Sequence, residues 1–255
     1  MEKSNEPEEF VIGRHPVESA LKAGQEVNKL FIQVGIKEED PTVTEIIKLA
    51  KKQKLVISKV PKQKLDQLAN NQNHQGVVLG VAAFKYASID DLFANSEKMG
   101  VAPFFAILDN IEDPHNLGSI IRTADAAGVT GVIIPKHRAV GLTATVAKTS
   151  AGAIERVPVA RVTNLVATIK ELKNRGVWIF GTDMKGTDYR RWDANGPVAV
   201  VIGNEGKGIA PLVKKHVDEM LTIPMVGDIQ SLNASVAASV LIYQGYNSRN
   251  PLAGK

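Results

Sequence analysis

The chain has 255 residues, which fits one large or two small domains, and its 44% hydrophobic content is that of an ordinary globular protein. No apolar run is long enough to span a bilayer, and residues 1–9 are acidic and polar, so we expect a flexible tail there and neither a signal peptide nor a membrane anchor. Cysteine is absent, which excludes disulfides, cysteine-ligated metals and the cysteine nucleophile that pyrimidine C5 methylation needs, and the cytoplasm is the expected location.

The net charge of +4 is unevenly distributed. Residues 46–65 contain seven lysines and no acidic residue, and residues 136–161 hold a second basic stretch opposed only by Glu155. Clustered cations suit a polyanion, because neutralising phosphates releases condensed counterions. For the first cluster alone, a solvated helix face explains the lysines slightly better. Two clusters together favour nucleic acid, and the predicted RNA-binding side chains are Lys48, Lys51, Lys52, Arg138 and Lys148.

The first third of the chain alternates short apolar runs with helix-like patterns, which predicts a small α/β domain over residues 10–84. Residues 85–102 lack a clear pattern and are predicted to link it to a second domain. The predicted strands are 10–13, 27–34, 55–60 and 76–84, and the predicted helices are 41–54 and 62–69.

The second domain, residues 103–255, alternates strands and helices regularly, which predicts an α/β fold with a mostly parallel sheet and helices on both faces. Gly128 and Gly176 are expected to end two of the helices, and Asn164 to cap one. The predicted strands are 103–109, 129–134, 157–162, 177–180, 198–202 and 221–223, and the predicted helices cover about 117–127, 143–156, 164–175 and 234–246.

The first segment with chemical character is residues 109–122, which follows a buried strand and runs into a helix. Arg122 lies opposite the apolar stripe of that helix, where a surface arginine is common, but a guanidinium there could also hold an RNA phosphate through two hydrogen bonds. Asn116 has the position expected of a helix N-cap, with a substrate contact as an equally good second role.

The second segment, residues 202–208, places Asn204 and Glu205 among three glycines after a strand. It matches neither a Walker loop nor a dinucleotide fingerprint, and a glycine-rich turn is often only a turn. Glycines do allow close backbone approach, which suits the wall of a small-molecule pocket.

The third segment begins with Ile223, Pro224 and Met225 at a strand end and continues to Ser231 and Asn233 before a helix rich in small residues. Ser231 or Asn233 is expected to cap that helix. Because the carboxyl ends of parallel strands share one edge of a sheet, the polar residues of all three segments could meet in one crevice.

These three segments, in this order, resemble the three signature motifs of the SpoU/TrmH family of RNA ribose 2′-O-methyltransferases. The resemblance covers nearly the whole chain, since residues 13–17 and 73–76 resemble the small substrate-binding domain of members that act on 23S ribosomal RNA. It implies a catalytic domain with a deep trefoil knot, a homodimer, S-adenosylmethionine as methyl donor, and a guanosine ribose in 23S ribosomal RNA as the target, with no metal.

Carried over by motif position, the resemblance implies a donor site and a catalytic set. The donor-binding residues are Gly203, Ile223 and Leu232, with Thr182, Asn204 and Met225 nearby. The catalytic residues are Asn116, Arg122, Glu205, Ser231 and Asn233. Arginine is effectively always protonated, so a phosphate clamp is a better role for Arg122 than a base.

Three alternatives remain at this stage. The target could be transfer RNA or another ribosomal nucleotide. The chain could be a non-catalytic RNA-binding or ribosome-assembly protein, although its motifs are intact. A nucleotide-dependent oxidoreductase is disfavoured because no dinucleotide fingerprint follows any strand.

Overall fold

The structure, a computed structural model, describes residues 10–24, 27–82, 84–228 and 231–252. The predicted flexible tail, residues 1–9, lies outside the described residues. The chain divides into two compact units, and we call the first, which runs up to Lys85 and includes Gly141–Thr145, the N-terminal unit. The second, which we call the C-terminal unit, comprises Tyr86–Val140 and Val146–Lys255.

The N-terminal unit is a four-stranded mixed sheet with helices, as the alternating pattern predicts. Its elements are β1 (Phe10–Ile12), α1 (Arg14–Lys22), β2 (Val27–Gln33), α2 (Pro41–Lys52), β3 (Ile57–Val60), α3 (Lys62–Leu68) and β4 (Val77–Val81). The strand order is β1-β4-β2-β3, with β2 and β3 parallel and β4 antiparallel to both of its neighbours. Leu30, Ile46 and Leu79 are fully buried in a core between this sheet and the helices.

Helix α1 was not expected from the sequence. Pro16 lies within its first turn, where proline is tolerated because those N–H groups have no partner inside the helix. Val17, Ala20 and Leu21 then bury the helix against the core. Proline usually argues against a helix, so the sequence did not predict α1 although the spacing of its apolar residues is helical.

The C-terminal unit contains a six-stranded, wholly parallel sheet, which confirms the predicted fold class. Its elements are α4 (Ile89–Met99), β5 (Phe104–Leu108), α5 (Pro114–Ala126), β6 (Gly131–Pro135), β7 (Val159–Val162), α7 (Leu165–Asn174), β8 (Trp178–Asp188), β9 (Val198–Ile202), α8 (Pro211–Lys214), β10 (Glu219–Thr222) and α9 (Ala234–Arg249), while α6 (Ala144–Thr149) begins in residues grouped with the N-terminal unit. The strand order is β10-β8-β9-β5-β6-β7. The strands β5 and β9 are buried throughout, so their carboxyl ends deliver the first two motifs to the same edge of the sheet.

Most of the linker predicted for residues 85–102 is helix α4, which belongs to the C-terminal unit. Ser88 and Asp91 form a reciprocal capping box at its start, and Gly100 ends it in the left-handed conformation. Leu92 is fully buried over Gly131, where a Cβ atom would stand 2.3 Å from the leucine Cγ. Side-chain packing therefore fixes this segment. Its irregular pattern of polar and apolar residues gave no indication of that packing.

Two further predictions are corrected. The single helix expected over residues 143–156 is broken, because Ala151 and Gly152 both have positive φ and only a short 3₁₀ turn, Ala153–Glu155, follows. Strand β8 extends well beyond the expected residue 180, since its second half pairs with β10 after an irregularity in register. The trefoil knot implied by the resemblance stays a prediction.

Candidate active site

The first motif places Asn116 inside helix α5 and not at its cap. Pro114 is the first helical residue and Asp113 caps the helix, with its Oδ1 accepting a hydrogen bond from the His115 N–H at 2.8 Å. The cap predicted for Asn116 is therefore wrong. Its side chain is free for another partner, and Asn116 Nδ2 donates to Glu205 Oε1 at 2.5 Å from a position only 7% exposed.

The second motif is a tight loop that Asn204 holds in shape. Backbone hydrogen bonds between Asn204 and Gly208, of 3.2 and 2.8 Å, close the loop, and Asn204 Oδ1 accepts from the Gly206 and Lys207 N–H groups. A Cβ atom on Gly203 would stand 2.3 Å from the Gly208 carbonyl carbon and 2.4 Å from the Ile209 nitrogen. The glycine is thus required first by the loop's own backbone, a reason that differs from the expected approach of a ligand.

The third motif closes the group. Asn233 caps α9, with Oδ1 accepting from the Ser235 N–H at 2.9 Å, while its Nδ2 donates to Asn116 Oδ1 at 3.0 Å and to Glu205 Oε1 at 3.2 Å. The Ala234 N–H also points to Glu205 Oε1, at 3.4 Å. Asn116, Glu205 and Asn233, which we call the amide–carboxylate cluster, are therefore brought together from three motifs spread over more than a hundred residues.

Asp109, at the carboxyl end of β5, supports this arrangement and was not among the predicted site residues. It is 4% exposed, and its Oδ2 accepts a hydrogen bond from the Ala210 N–H at 2.7 Å, which ties the first motif to the end of the second. Burial raises the pKa of this carboxyl above its ordinary value, with the Ala210 hydrogen bond and the charge of Arg138 opposing the shift. An acidic residue directly after a wholly apolar strand was the available sequence signal.

Beside the cluster lies a cavity of about 600 Å³, which we call the sheet-edge cavity. Apolar side chains from β9, β10 and α9, namely Ile202, Leu221 and Leu241, form part of its lining, together with Glu205. Ser231 is exposed in this lining, and the expected cap of α9 is supplied by Asn233 and not by Ser231. All six predicted donor-binding residues line it: Thr182, Gly203, Asn204, Ile223, Met225 and Leu232.

An ion pair within this lining had no signal in the sequence. Lys214 Nζ donates to Asp183 Oδ2, and both residues line the sheet-edge cavity. The hydrogen bond from Lys214 holds the pKa of Asp183 below its ordinary value. Asp183 lies in the extended part of β8 and Lys214 at the end of α8, so only the folded sheet brings them together.

Arg122 does not join the amide–carboxylate cluster. It lies six residues after Asn116 on α5, which is about 9 Å along the axis and about 120° around it. The residue is exposed, and among the residues that the structure describes it has no hydrogen-bond or ion-pair partner. Its predicted place off the buried stripe of Leu117, Ile121 and Ala124 is confirmed.

The predicted RNA-binding cations are on the surface. Lys51, Lys52, Arg138 and Lys148 are exposed, and so is Lys48. The lysines of residues 48–54 were expected to have no acidic partner nearby, and this is wrong for Lys48, which pairs with Glu45 at 3.4 Å. Outside that helix, Lys59 pairs with Glu38 at 2.8 Å. Both acids precede residue 46. Glu45 lies one helical turn before Lys48 on α2, and the fold brings Glu38 next to Lys59. Their role in binding stays a prediction.

Within the described ranges, no helix is long and apolar enough to cross a membrane. In the same part of the chain, no group of three or more histidine, aspartate or glutamate side chains is arranged to hold a metal ion.

Comparisons with known proteins agree with this geometry. Residues 103–243 match the model of the SpoU rRNA methylase family, and residues 10–87 match the RNA 2′-O ribose methyltransferase substrate-binding family. Among curated relatives, YacO of Bacillus subtilis, named as a TrmH family tRNA/rRNA methyltransferase, is 52% identical, covering 96% of this chain and 97% of its own. A Staphylococcus aureus protein with the same family name is also 52% identical, over 94% of this chain and 96% of its own.

Solved structures give the same result. The SpoU methyltransferase AviRb from Streptomyces viridochromogenes, solved in complex with AdoMet, has a TM-score of 0.60 and 25% identity over 95% of this chain and 90% of its own. A TrmH/SpoU tRNA-modifying enzyme of A. aeolicus has a TM-score of 0.54 and 28% identity, covering 62% of this chain and 84% of its own. The fold and the site thus define an RNA methyltransferase. The chain belongs to the SpoU/TrmH family of RNA methyltransferases.

Proposed function

We propose that this protein transfers a methyl group from S-adenosylmethionine to the ribose 2′-hydroxyl of a guanosine in 23S ribosomal RNA, in the cytoplasm. The observation that carries the proposal is the amide–carboxylate cluster beside an apolar cavity. Such an arrangement provides a pocket for the donor on one side and polar groups for a hydroxyl on the other.

The residues of the sheet-edge cavity fit the proposed donor. Ile202, Leu221 and Ile223 offer apolar surface to an adenine ring, and the glycine-rich loop lets a ligand approach the backbone closely. Lys214 and Asp183 supply opposite charges that suit the carboxylate and ammonium groups of the methionyl end. When bound, S-adenosylmethionine supplies a sulfonium methyl group that is already activated for in-line attack.

The chain's own residues then have two tasks, orienting the hydroxyl and assisting removal of its proton. Glu205 Oε1 is the common acceptor of the cluster, so its second oxygen is the free carboxylate position for a 2′-hydroxyl proton. Asn116 and Asn233 hold Glu205 in place by donating to it. Arg122, exposed on α5, is assigned to an RNA phosphate, where its planar guanidinium can donate two hydrogen bonds.

A homodimer belongs to the same proposal. Helix α9 buries Ala238, Leu241 and Ile242, yet it also exposes apolar side chains at spacings that share a second face. Val236, Tyr243 and Tyr246 are 49%, 45% and 40% exposed. We assign this face to a second copy of the chain. Light scattering of Tyr243→Glu should then report a lighter species than the wild type does, and an unchanged mass would contradict the assignment.

A second candidate is 2′-O-methylation of transfer RNA. It is favoured by the relatives, which are named as tRNA/rRNA methyltransferases, and by the likeness to a tRNA-modifying enzyme. A non-catalytic RNA-binding role would leave the donor cavity without a purpose. Calorimetric titration with S-adenosylmethionine separates that role from both enzymes.

The test is a transfer assay on ribosomal and transfer RNA with isotopically labelled S-adenosylmethionine, followed by nucleoside mass spectrometry. We expect label in 2′-O-methylguanosine from ribosomal RNA. Arg122→Ala should fold normally, because the side chain is exposed, and should lose transfer, while Arg122→Lys should also be poor since lysine lacks the planar fork. Near-wild-type turnover of Arg122→Ala would refute its role, and label in a base instead of a ribose would refute the reaction.

A further inference from the structure

The N-terminal unit contains a concave site of its own, with a volume of about 870 Å³. We call it the N-terminal site. It is lined by residues from the start of α1, from the loop after β2, from the starts of α2 and α3, and from the loop of residues 70–76 before β4. The volume is in the range of small-molecule sites, although the lining is far more polar than is usual for them. The cavity lies within one unit and is separate from the sheet-edge cavity.

Arg14 is held rigidly at this site. Its Nη1 donates to Asp40 Oδ2 at 2.6 Å and its Nε donates to the Gln75 carbonyl oxygen at 3.1 Å. A guanidinium has five N–H groups, so these two bonds leave others for a ligand. A guanidinium fixed in this way presents a planar fork, which is the geometry that reads the O6 and N7 edge of guanine or grips a phosphate.

The loop of residues 70–76 keeps a strained shape around Arg14. Asn71 and Gln75 both have positive φ, at 60° and 50°, in the region that non-glycine residues seldom occupy. The left-handed Gln75 directs its carbonyl oxygen to Arg14 Nε and its Oε1 to the Arg14 backbone N–H, at 3.2 Å. Strain of this kind persists where the surroundings enforce it, and it is concentrated at ligand clamps and active sites.

The buried side chain of His74 stabilises the loop through two hydrogen bonds. It is 5% exposed, its Nδ1 accepts from the Gly76 N–H at 2.9 Å, and its Nε2 therefore carries the proton that is donated to Asp66 Oδ1 at 3.0 Å. Gly76 has a φ of 82°, a left-handed conformation that favours glycine. The loop is thus anchored on both sides, and the side chains of Gln72 and Asn73 remain exposed.

We propose that the N-terminal site holds one unpaired nucleotide of the RNA substrate, distinct from the nucleotide that is methylated. The inference rests on the proposed function, which makes RNA the substrate. Amide groups such as those of Gln72 and Asn73 both donate and accept hydrogen bonds, as the edge of a base requires. Lys37 and Lys62, both exposed in the lining, suit the flanking phosphates.

The shape of the site indicates which RNA element it takes. A concave site cannot receive the edge of a base that is paired and stacked within a duplex, whereas unpaired bases in loops and bulges can be turned outward and read on their edges. The target is therefore a loop or bulge with a preferred base at one position. This differs from the lysines of α2, which can contact phosphates but carry no sequence information.

The experiment uses the full chain and fluorescence anisotropy with nine-nucleotide probes: oligo(A), oligo(C), oligo(G) and oligo(U), and the oligo(A)·oligo(U) duplex. We expect one single strand to bind more tightly than the others and than the duplex. Gln72→Ala and Asn73→Ala, which remove exposed side chains, should each weaken that strand by about 10-fold and leave the duplex unchanged. Arg14→Lys should do the same, with thermal melting to verify its fold. The replacement of Lys48, Lys51 and Lys52 by glutamine is the matched control and should weaken all probes alike.

Equal affinity of the wild type for all probes would overturn the inference, and so would pocket variants that bind every probe as the wild type does. Donor affinity and methyl transfer are measured on the same preparations. If the wild type binds S-adenosylmethionine and methylates RNA while the variants bind RNA normally, the N-terminal site alone is misassigned. If the wild type binds no donor and transfers no methyl group, the proposed function fails independently of the probe affinities.

Discussion

The sheet-edge cavity and the N-terminal site are built on different principles. In the first, apolar side chains and a tight glycine loop surround the space, and the polar residues next to it are bonded to one another. In the second, amides and cations line the space and several exposed side chains point to solvent. A small ligand of constant shape is served by a largely apolar wall with a few fixed polar groups, while an RNA segment needs polar groups that are free until it arrives. The contrast predicts that damage to the first site stops chemistry, and that damage to the second changes only which RNA is bound.

The largest effect should come from Glu205→Ala. The change removes the common acceptor of Asn116 and Asn233, so the hydroxyl loses its orienting group. We expect kcat to fall by roughly 10²–10³-fold, the loss typical of removing one preorganised polar group from an active site. Glu205→Gln is the matched control, because it keeps an acceptor oxygen and should lose less. A Glu205→Ala enzyme with normal kcat would place the chemistry elsewhere.

The next effect concerns the loop wall, and compares Gly203→Ala with Gly206→Ala. A Cβ atom at residue 203 collides with the backbone of Gly208 and Ile209, whereas at residue 206 its nearest neighbour is Asn204 Oδ1 at 3.6 Å. Overpacking of this kind costs about 1–3 kcal/mol, so we expect Gly203→Ala to weaken S-adenosylmethionine binding by on the order of 10-fold. Calorimetry should find Gly206→Ala close to wild type. Equal donor affinity in the two variants would show that the loop geometry does not shape the donor site.

A moderate effect is expected from glutamine at Lys48, Lys51 and Lys52. These side chains are exposed and lie outside both sites, so their proposed role is to contact RNA phosphates. The plot of log affinity against log salt concentration should become less steep by roughly 0.9 for each lost phosphate contact, the value for duplex DNA. Because Lys48 already pairs with Glu45, it should contribute least. Activity should recover at saturating RNA, and an unchanged salt slope would return this face to the role of a solvated helix.

The smallest effect concerns Asp109 and depends on pH. Burial raises the pKa of this carboxyl in the folded protein, so its contribution to stability is fully present below the ordinary pKa and is lost as pH rises through the raised one. The stability of Asp109→Asn relative to wild type should therefore increase over that acidic window and stay constant above it. Thermal melting of both proteins from acidic to neutral pH measures the difference. If the difference in stability did not vary with pH, burial would not raise the pKa of Asp109.

Some elements of the parallel sheet and its helices could be predicted from the sequence, and others could not. Strand β9 was predicted to the residue, because five consecutive apolar side chains between polar flanks have few other interpretations. The cap of α7 by Asn164 is equally local and is confirmed, with Asn164 Oδ1 accepting from the Ala167 N–H at 3.1 Å. The second half of β8 could not be foreseen, since it is extended only by its pairing with β10.

Some of the wrong predictions could have been avoided from the sequence itself. Pro114 as the first helical residue identifies Asp113 and not Asn116 as the cap of α5. The Ser88 and Asp91 capping box and Gly100 mark both ends of α4. The pair Asp183–Lys214 had no sequence signal, because only tertiary folding brings the two residues together. The N-terminal site had a partial signal, since residues 13–17 and 73–76 carry part of the resemblance, but only the fold shows that they form one concave site with Asp40. Motif order could indicate that Asn116, Glu205 and Asn233 meet, but only the folded sheet establishes the distances between them.

The central claim, that the protein methylates a ribose 2′-hydroxyl in ribosomal RNA, is tested most directly by mapping 2′-O-methyl groups in a deletion strain. Ribosomal and transfer RNA from the wild type, the deletion strain, and the deletion strain carrying either the wild-type gene or Arg122→Ala are compared nucleotide by nucleotide. We expect one guanosine in 23S ribosomal RNA to lose its 2′-O-methyl group in the deletion strain, to regain it with the wild-type gene, and to remain unmodified with Arg122→Ala. An unchanged map of ribosomal RNA, with a methyl group missing from transfer RNA or from neither, would contradict the claim.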